Sequence, residues 1–110
     1  LFFTIPFQAR YHYIPHDYWR LTPAAIERLL LEAGFERITI RSRGTDISVA
    51  AYKILSLTFR WLGGGLIQKI LGILMLPCAC IGLLAGHASL AWKLGSEDDC
   101  LGYAVTASAP

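Results

Sequence analysis

The 110-residue sequence predicts an α/β fold that is interrupted, late in the chain, by an apolar helical segment. Two observations predict the α/β part. Residues 1–5 form an almost unbroken apolar run, typical of a strand buried on both faces, and residues 36–43 alternate between apolar and polar side chains. A third observation predicts the interruption, because the 23 residues from 70 to 92 carry no formal charge.

The first strand is expected to end at Pro6, where a long loop begins. Residues 15–20 of this loop read Pro-His-Asp-Tyr-Trp-Arg, which combines two aromatic rings with an imidazole, a carboxylate and a guanidinium. In open α/β sheets, ligands bind beyond the carboxyl ends of the strands, so we expect this loop to contact a substrate. In the alternative interpretation the loop is scaffold: Arg20 pairs with Asp17, and Trp19 is a core anchor beneath the following helix.

A helix is predicted to follow, with Thr22 as its amino-terminal cap and Pro23 in its first turn. Gly34 is expected to close the helix in the left-handed conformation, and Phe35 to fold back onto Leu30. The side chains predicted to face a sheet are Ile26, Leu29, Leu30 and Ala33.

The next strand is predicted over residues 36–43, with Ile38 and Ile40 on the buried face. The side chains expected on its solvated face are Arg37, Thr39, Arg41 and Arg43. Strand, loop, helix and strand together make one crossover unit of a layered α/β fold.

Three segments resemble a known family: Thr-Ile-Pro-Phe at 4–7, His-Asp-Tyr-Trp-Arg-Leu-Thr-Pro at 16–23, and Leu-Leu-Leu-Glu-Ala-Gly-Phe at 29–35. They resemble the carboxyl-terminal half of class I S-adenosylmethionine-dependent methyltransferases of the broad type 11 group. In that family the fifth strand precedes a His-Asp-Tyr-Trp-Arg-Phe-Thr loop, a helix ending in Ala-Gly-Phe, and the sixth strand. Residues 101–108 are similar to the seventh strand.

The resemblance implies strands 5, 6 and 7 of a Rossmann-like methyltransferase sheet, with an apolar helical insertion between the last two strands. Residues 1–44 and 100–110 would form the partial methyltransferase domain, and residues 45–99 the insertion. The family's glycine-rich turn and acidic residue, which hold S-adenosylmethionine, do not occur in this sequence. We therefore expect a carboxyl-terminal fragment that is inactive alone and whose missing upstream half binds the cofactor.

The resemblance also implies methyl transfer to a small or lipid-like acceptor, a displacement in which positioning supplies much of the rate. His16 is the candidate catalytic base because histidine titrates near neutrality, and Asp17 is the candidate that fixes its tautomer. His12 is the reserve base. The candidate substrate-binding residues are His12, Tyr18, Trp19 and Arg20.

Residues 70–92 are long enough to span a bilayer, and residues 47–62 have the pattern of a basic amphipathic helix. Three arrangements stay open: association in the membrane plane or as a re-entrant hairpin, an internal helical cap broken at residues 63–65 and at Pro77, and a full span. A single crossing would separate the last strand from its sheet, which argues against the full span. We expect a cytoplasmic protein, peripheral or integral to the membrane.

Composition limits the other functions. The hydrophobic share is 55%, against ~45–50% in typical soluble domains, and the net charge of +2 gives no support for a nucleic-acid partner. We expect no metal site: the cysteines, Cys78, Cys80 and Cys100, are read as small buried hydrophobes, and the acidic residues 97–99 as a solvated turn.

The alternative to a methyltransferase fragment is a non-enzymatic, membrane-associated helical module that keeps a remnant α/β unit.

Overall fold

The computed structural model describes residues 1–11, 14–16 and 18–110 of the chain. The elements follow in the order β1 (Phe2–Pro6), α1 (Pro23–Glu32), β2 (Glu36–Arg43), α2 (Asp46–Leu62), α3 (Leu66–Trp92) and β3 (Gly102–Ser108). They form two compact units. The sheet unit comprises Leu1–Arg43 and Cys100–Pro110, and the hairpin unit comprises Gly44–Asp99.

The sheet unit is a mixed α/β structure around a three-stranded sheet with the order β1-β3-β2. β3 is antiparallel to both neighbours, so that β1 and β2 run in the same direction. The predicted α/β class is confirmed at this level, and the last strand does return to the sheet of the first. An irregularity interrupts the β2–β3 register between Glu36 and Thr39, where Arg37 has a φ of 48°.

The buried strand of this sheet is β3, where Val105 is 0% and Tyr103 is 3% exposed. The prediction that residues 1–5 are buried on both faces is wrong, because Phe2 is 69% exposed and burial alternates along β1. The physical reason is position: β3 has a neighbour on each side, whereas β1 lies at the edge among the described residues. The predicted end of the strand is confirmed, because Pro6 is the last residue of β1 and pairs with Gly102.

Helix α1 covers one face of the sheet. Its ends are as predicted: the Thr22 hydroxyl accepts a hydrogen bond from the amide of Ala25, and Gly34 closes the helix with a φ of +82°. Ile26 and Leu30 are buried in the core, and the amide of Phe35 donates to the carbonyl of Leu30. The predicted burial of Leu29 and Ala33 is wrong, because both are exposed. A single helix over a narrow sheet buries only the line of side chains that faces it directly.

The hairpin unit consists of α2 packed against α3, joined by the turn at residues 63–65. The predicted break at Pro77 is wrong, since α3 continues through it for 27 residues. One proline removes one backbone hydrogen bond, and the turns on either side keep theirs. α3 is long and apolar enough to cross a membrane, with a mean hydropathy of 2.1 over its most apolar 18-residue window.

Candidate functional site

The loop that follows β1 is attached to the sheet where it starts. The amides of Phe7 and Gln8 both donate to the carbonyl of Leu101, at 2.9 and 3.2 Å. The Phe7 ring packs against the Tyr103 ring, with the centroids 5.6 Å apart. These contacts hold the beginning of the loop beside the amino end of β3.

His16 and Tyr18 contact each other within the loop. Nδ1 of His16 lies 3.1 Å from the hydroxyl oxygen of Tyr18, and the two rings meet edge to face with centroids 6.0 Å apart. Both side chains are exposed. If Nδ1 donates this bond, Nε2 has a free lone pair and can accept a proton from another molecule. With that tautomer, Tyr18 orients the imidazole, which is the role predicted for Asp17.

Arg20 ties the two ends of the loop together. Its guanidinium donates to the carbonyl of Trp19 at 3.1 Å and to the carbonyl of Arg10 at 3.3 Å. The Arg10 contact joins residues ten positions apart, and sequence reasoning did not find it because a backbone carbonyl is available at every residue. Arg20 has a bracing role here, although the partner predicted for that role, Asp17, lies outside the described residues.

Trp19 and Tyr18 present their rings at the surface. Trp19 is 75% exposed and Tyr18 is 67% exposed. The interpretation of Trp19 as a core anchor beneath the helix is therefore wrong; the core under α1 is filled by Ile26 and Leu30 instead. His12 and Asp17, the other two predicted site residues, lie outside the described residues. Of the predicted set, the structure brings together His16 with Tyr18 and Trp19 with Arg20.

A shallow hollow lies on the sheet face opposite α1, and sequence reasoning did not single it out. Its volume is about 350 Å³. The residues that line it are Phe2, Thr39, Arg41, Ala104 and Thr106. The alternation of β2, which predicted Thr39 and Arg41 on the outer face, was the only sequence signal for this surface. The hollow is an open surface of mixed character, with the exposed Phe2 ring beside polar side chains.

The three glycines at 63–65 do not have the setting of a cradle for S-adenosylmethionine. They connect two helices, whereas a nucleotide-type cradle needs strand, turn and helix in that order. No group of three or more His, Cys, Asp or Glu side chains in the described part of the chain is placed to hold a metal ion. At the acidic turn, the Ser96 hydroxyl donates to the carboxylate of Asp98 and lowers the pKa of that group.

The cysteines differ from their predicted state. Cys100 is fully buried, and its thiol donates to the carbonyl of Gly102 at 3.2 Å. Cys78 and Cys80 are exposed on α3, so the prediction that all three are buried is wrong for these two. The reason is that the residues α3 buries are all small and lie toward α2, which leaves most of its circumference exposed.

Comparison with known proteins adds no relative. No family model matches the chain, and neither a curated protein nor a solved structure matches it.

Proposed function

We propose that this chain is the carboxyl-terminal, acceptor-side part of an S-adenosylmethionine-dependent methyltransferase that transfers a methyl group to a small or lipid-like acceptor. The observation that carries the proposal is the strand order β1-β3-β2 with β3 antiparallel to both neighbours. In the class I methyltransferase sheet, the seventh strand lies between the fifth and the sixth and runs antiparallel to both. The loop, α1 and β2 follow β1 in the order that the resemblance implies, which supports the proposal.

The edge and the outer face of the sheet are consistent with this proposal. β1 pairs only with β3 among the described residues, and in the proposed parent its other side would pair with the fourth strand. Phe2 is exposed beside a hollow on the uncovered face. A large exposed aromatic side chain next to an unpaired strand edge is what a divided sheet would show.

The loop residues supply the acceptor side of the proposed reaction. Nε2 of His16, with Tyr18 holding Nδ1, would accept the proton of an oxygen or nitrogen acceptor. The exposed rings of Tyr18 and Trp19 would contact the apolar part of the acceptor. Arg20 would hold the loop in shape and direct its guanidinium toward an anionic group of the acceptor. In this proposal the cofactor would bind to the upstream part of the parent.

The test uses the longer protein to which the chain would belong. Its upstream sequence is expected to contain a strand, a glycine-rich turn and an acidic residue at the end of the next strand. Calorimetry is expected to show S-adenosylmethionine binding, and incubation with the methyl-labelled cofactor is expected to label a lipid or small-molecule extract. Arg20→Ala and His16→Ala should reduce labelling more than tenfold while cofactor binding is unchanged.

Two control variants test whether a loss of labelling is specific to the loop or follows from the removal of any exposed arginine or histidine. Arg28→Ala removes an exposed arginine whose partner is Glu32 on the same helix, and His87→Ala removes an exposed histidine from α3. Both should retain labelling. Full labelling in the Arg20→Ala and His16→Ala proteins would remove the loop from the catalytic account, and a complete upstream sequence without the glycine-rich turn would contradict the methyltransferase proposal.

The second candidate is a non-enzymatic module in which the helical hairpin is the working part. The observation that favours it is the exposure of α3, of whose most apolar window only 17% is buried. A longer protein that fails to bind S-adenosylmethionine, combined with a chain that binds lipid vesicles, would select this candidate.

A further inference from the structure

Helix α3 exposes large apolar side chains around most of its circumference. Ile73 is 58% exposed, Leu74 68%, Ile81 67% and Leu84 71%. A helix that is apolar all round is normally buried in a protein core or in a membrane. Since α2 covers only one side of α3, this apolar surface is left without a protein partner among the described residues.

The face of α3 that does pack against α2 is made of small residues. Gly72, Ala79 and Gly86 recur at seven-residue spacing and are buried, together with Ser89; we call these four residues the small-residue seam. At Gly86 the backbones approach so closely that an added Cβ would lie 3.2 Å from the Cβ of Ala51. Helix pairs in lipid place small residues at the helix–helix contact and large apolar residues on the outer surface. Helix pairs in water have the reverse arrangement.

The buried polar groups of the hairpin satisfy one another. The Ser89 hydroxyl donates to the carbonyl of Gly86 at 2.8 Å, and its oxygen lies 3.0 Å from the Thr45 hydroxyl and 3.5 Å from the Ser48 hydroxyl. On α2, the buried Thr58 hydroxyl donates to the carbonyl of Ile54 at 2.9 Å. Among the described residues, no buried side-chain polar atom lacks a partner. Such internal pairing is what a hydrocarbon environment requires, because it offers no competing water.

The charges of α2 lie on the side away from α3. Asp46, Lys53 and Arg60 recur at seven-residue spacing and are exposed. Lys53 and Arg60 each follow by two positions a buried residue that faces α3, Ala51 and Thr58, which places them roughly opposite the packed face. The helix pair is thus amphipathic as a whole, with a charged side on α2 and an apolar side on α3.

The two ends of the hairpin meet. The amide of Asp46, at the start of α2, donates to the carbonyl of Ser96, just beyond α3, at 3.0 Å. The amide of Ser96 in turn donates to the Asp46 carboxylate at 3.0 Å. A segment whose ends are joined in this way enters and leaves a membrane on the same side, so the objection to a single crossing does not apply to it.

We propose that α2 and α3 insert as a hairpin into one leaflet of an anionic lipid bilayer, with α3 among the acyl chains and α2 at the level of the headgroups. Lys53 and Arg60 then face the lipid phosphates, and the apolar side chains of α3 contact hydrocarbon. The inference does not rest on the proposed methyl transfer, and its test needs neither cofactor nor acceptor.

The test is flotation of the full chain, made by cell-free synthesis, with vesicles of phosphatidylcholine containing phosphatidylglycerol. The wild type is expected to float with the vesicles and to stay with them at alkaline pH. The double variant Ile73→Asp/Leu84→Asp adds two carboxylates to the exposed face of α3 and should reduce flotation more than tenfold. The control Leu29→Asp/Leu31→Asp adds the same charges to exposed positions of α1, which are 51% and 58% exposed, and should float like the wild type.

Two further results decide the proposal. Lys53→Gln/Arg60→Gln should float with phosphatidylcholine alone as the wild type does, but should lose the gain that phosphatidylglycerol gives the wild type. A wild-type chain that stays in solution without vesicles and does not float with them would overturn the proposal. Equal flotation of Ile73→Asp/Leu84→Asp and the wild type would overturn it as well, because buried carboxylates cannot be neutral to insertion.

Discussion

Replacing Gly72 by alanine is expected to loosen the hairpin, whereas the same replacement at Gly82 is expected to tighten it. Both glycines lie inside α3, so both substitutions bring the same gain in helix propensity, roughly 0.8–1 kcal/mol. What differs is the space on the α2 side. At Gly82 the new methyl group would lie 3.7 Å from Cα of Ala51, an ordinary contact, and at Gly72 it would lie 2.9 Å from the backbone nitrogen of Leu62.

The expected magnitudes follow from these distances. The methyl group at position 82 should leave the propensity gain intact, so that Gly82→Ala stabilises the hairpin by about 1 kcal/mol. At position 72 a backbone atom must move, and overpacking of this kind costs about 1–3 kcal/mol. Gly72→Ala is therefore expected to fall between no change and a loss of about 2 kcal/mol. Gly86→Ala, with its contact of 3.2 Å to the Ala51 side chain, should lie between the two.

The assay is unfolding of the hairpin in detergent micelles by increasing guanidinium chloride, under conditions in which circular dichroism shows that the helices are lost as they separate. Energy transfer between a label at Lys53→Cys and one at the native Cys80, with Cys78→Ser, reports the separation. The midpoints are expected in the order Gly82→Ala, Gly86→Ala, Gly72→Ala from highest to lowest. Equal midpoints for Gly82→Ala and Gly72→Ala would refute the close approach of α3 to α2 at Gly72.

Three smaller predictions concern the sheet unit, each read by local hydrogen exchange. Ile26→Ala, at a side chain 2% exposed, should cost about 2–5 kcal/mol, and a loss under about 1 kcal/mol would show that the core is not centred there. Gly102→Ala places a methyl group against the carbonyl oxygen of Ile5 and should abolish protection of the β1 amides; retained protection would contradict the β1–β3 pairing. Thr22→Ala should cost about 1 kcal/mol and fray the start of α1, whereas Thr22→Ser should not; equal fraying in both would exclude a hydroxyl cap.

The elements that could be predicted are those with local signals. Thr22 and Gly34 mark the ends of α1 through contacts within a few residues, and the alternation around Ile38 and Ile40 requires only one covered face. The burial of β1 could not be predicted in the same way. An apolar run is equally consistent with an edge strand and a central strand, and the choice depends on β3, about one hundred residues away in the sequence.

The candidate site also has features that the sequence predicts and features that it does not. Its composition was visible in the sequence, but the exposure of Trp19 and the bond from Arg20 to the carbonyl of Arg10 depend on the path of the loop. In the hairpin, the length and hydropathy of α3 were visible. The contact between Ser48 on α2 and Ser89 on α3 could not be predicted, because a single serine in a helix does not indicate which residue of another helix it contacts.

The depth of two nitroxide labels in anionic vesicles tests the central claim most directly. One label is placed at the native Cys80 on α3 and one at Lys53→Cys on the charged side of α2, with Cys78→Ser in both proteins and the buried Cys100 left unchanged. Insertion into one leaflet predicts that the Cys80 label meets oxygen far more often than a water-soluble nickel complex, and that the label at position 53 meets the nickel complex readily. Two labels equally deep would indicate a hairpin that spans the bilayer, and two labels equally accessible to nickel would show that α3 does not contact lipid; either result contradicts the account.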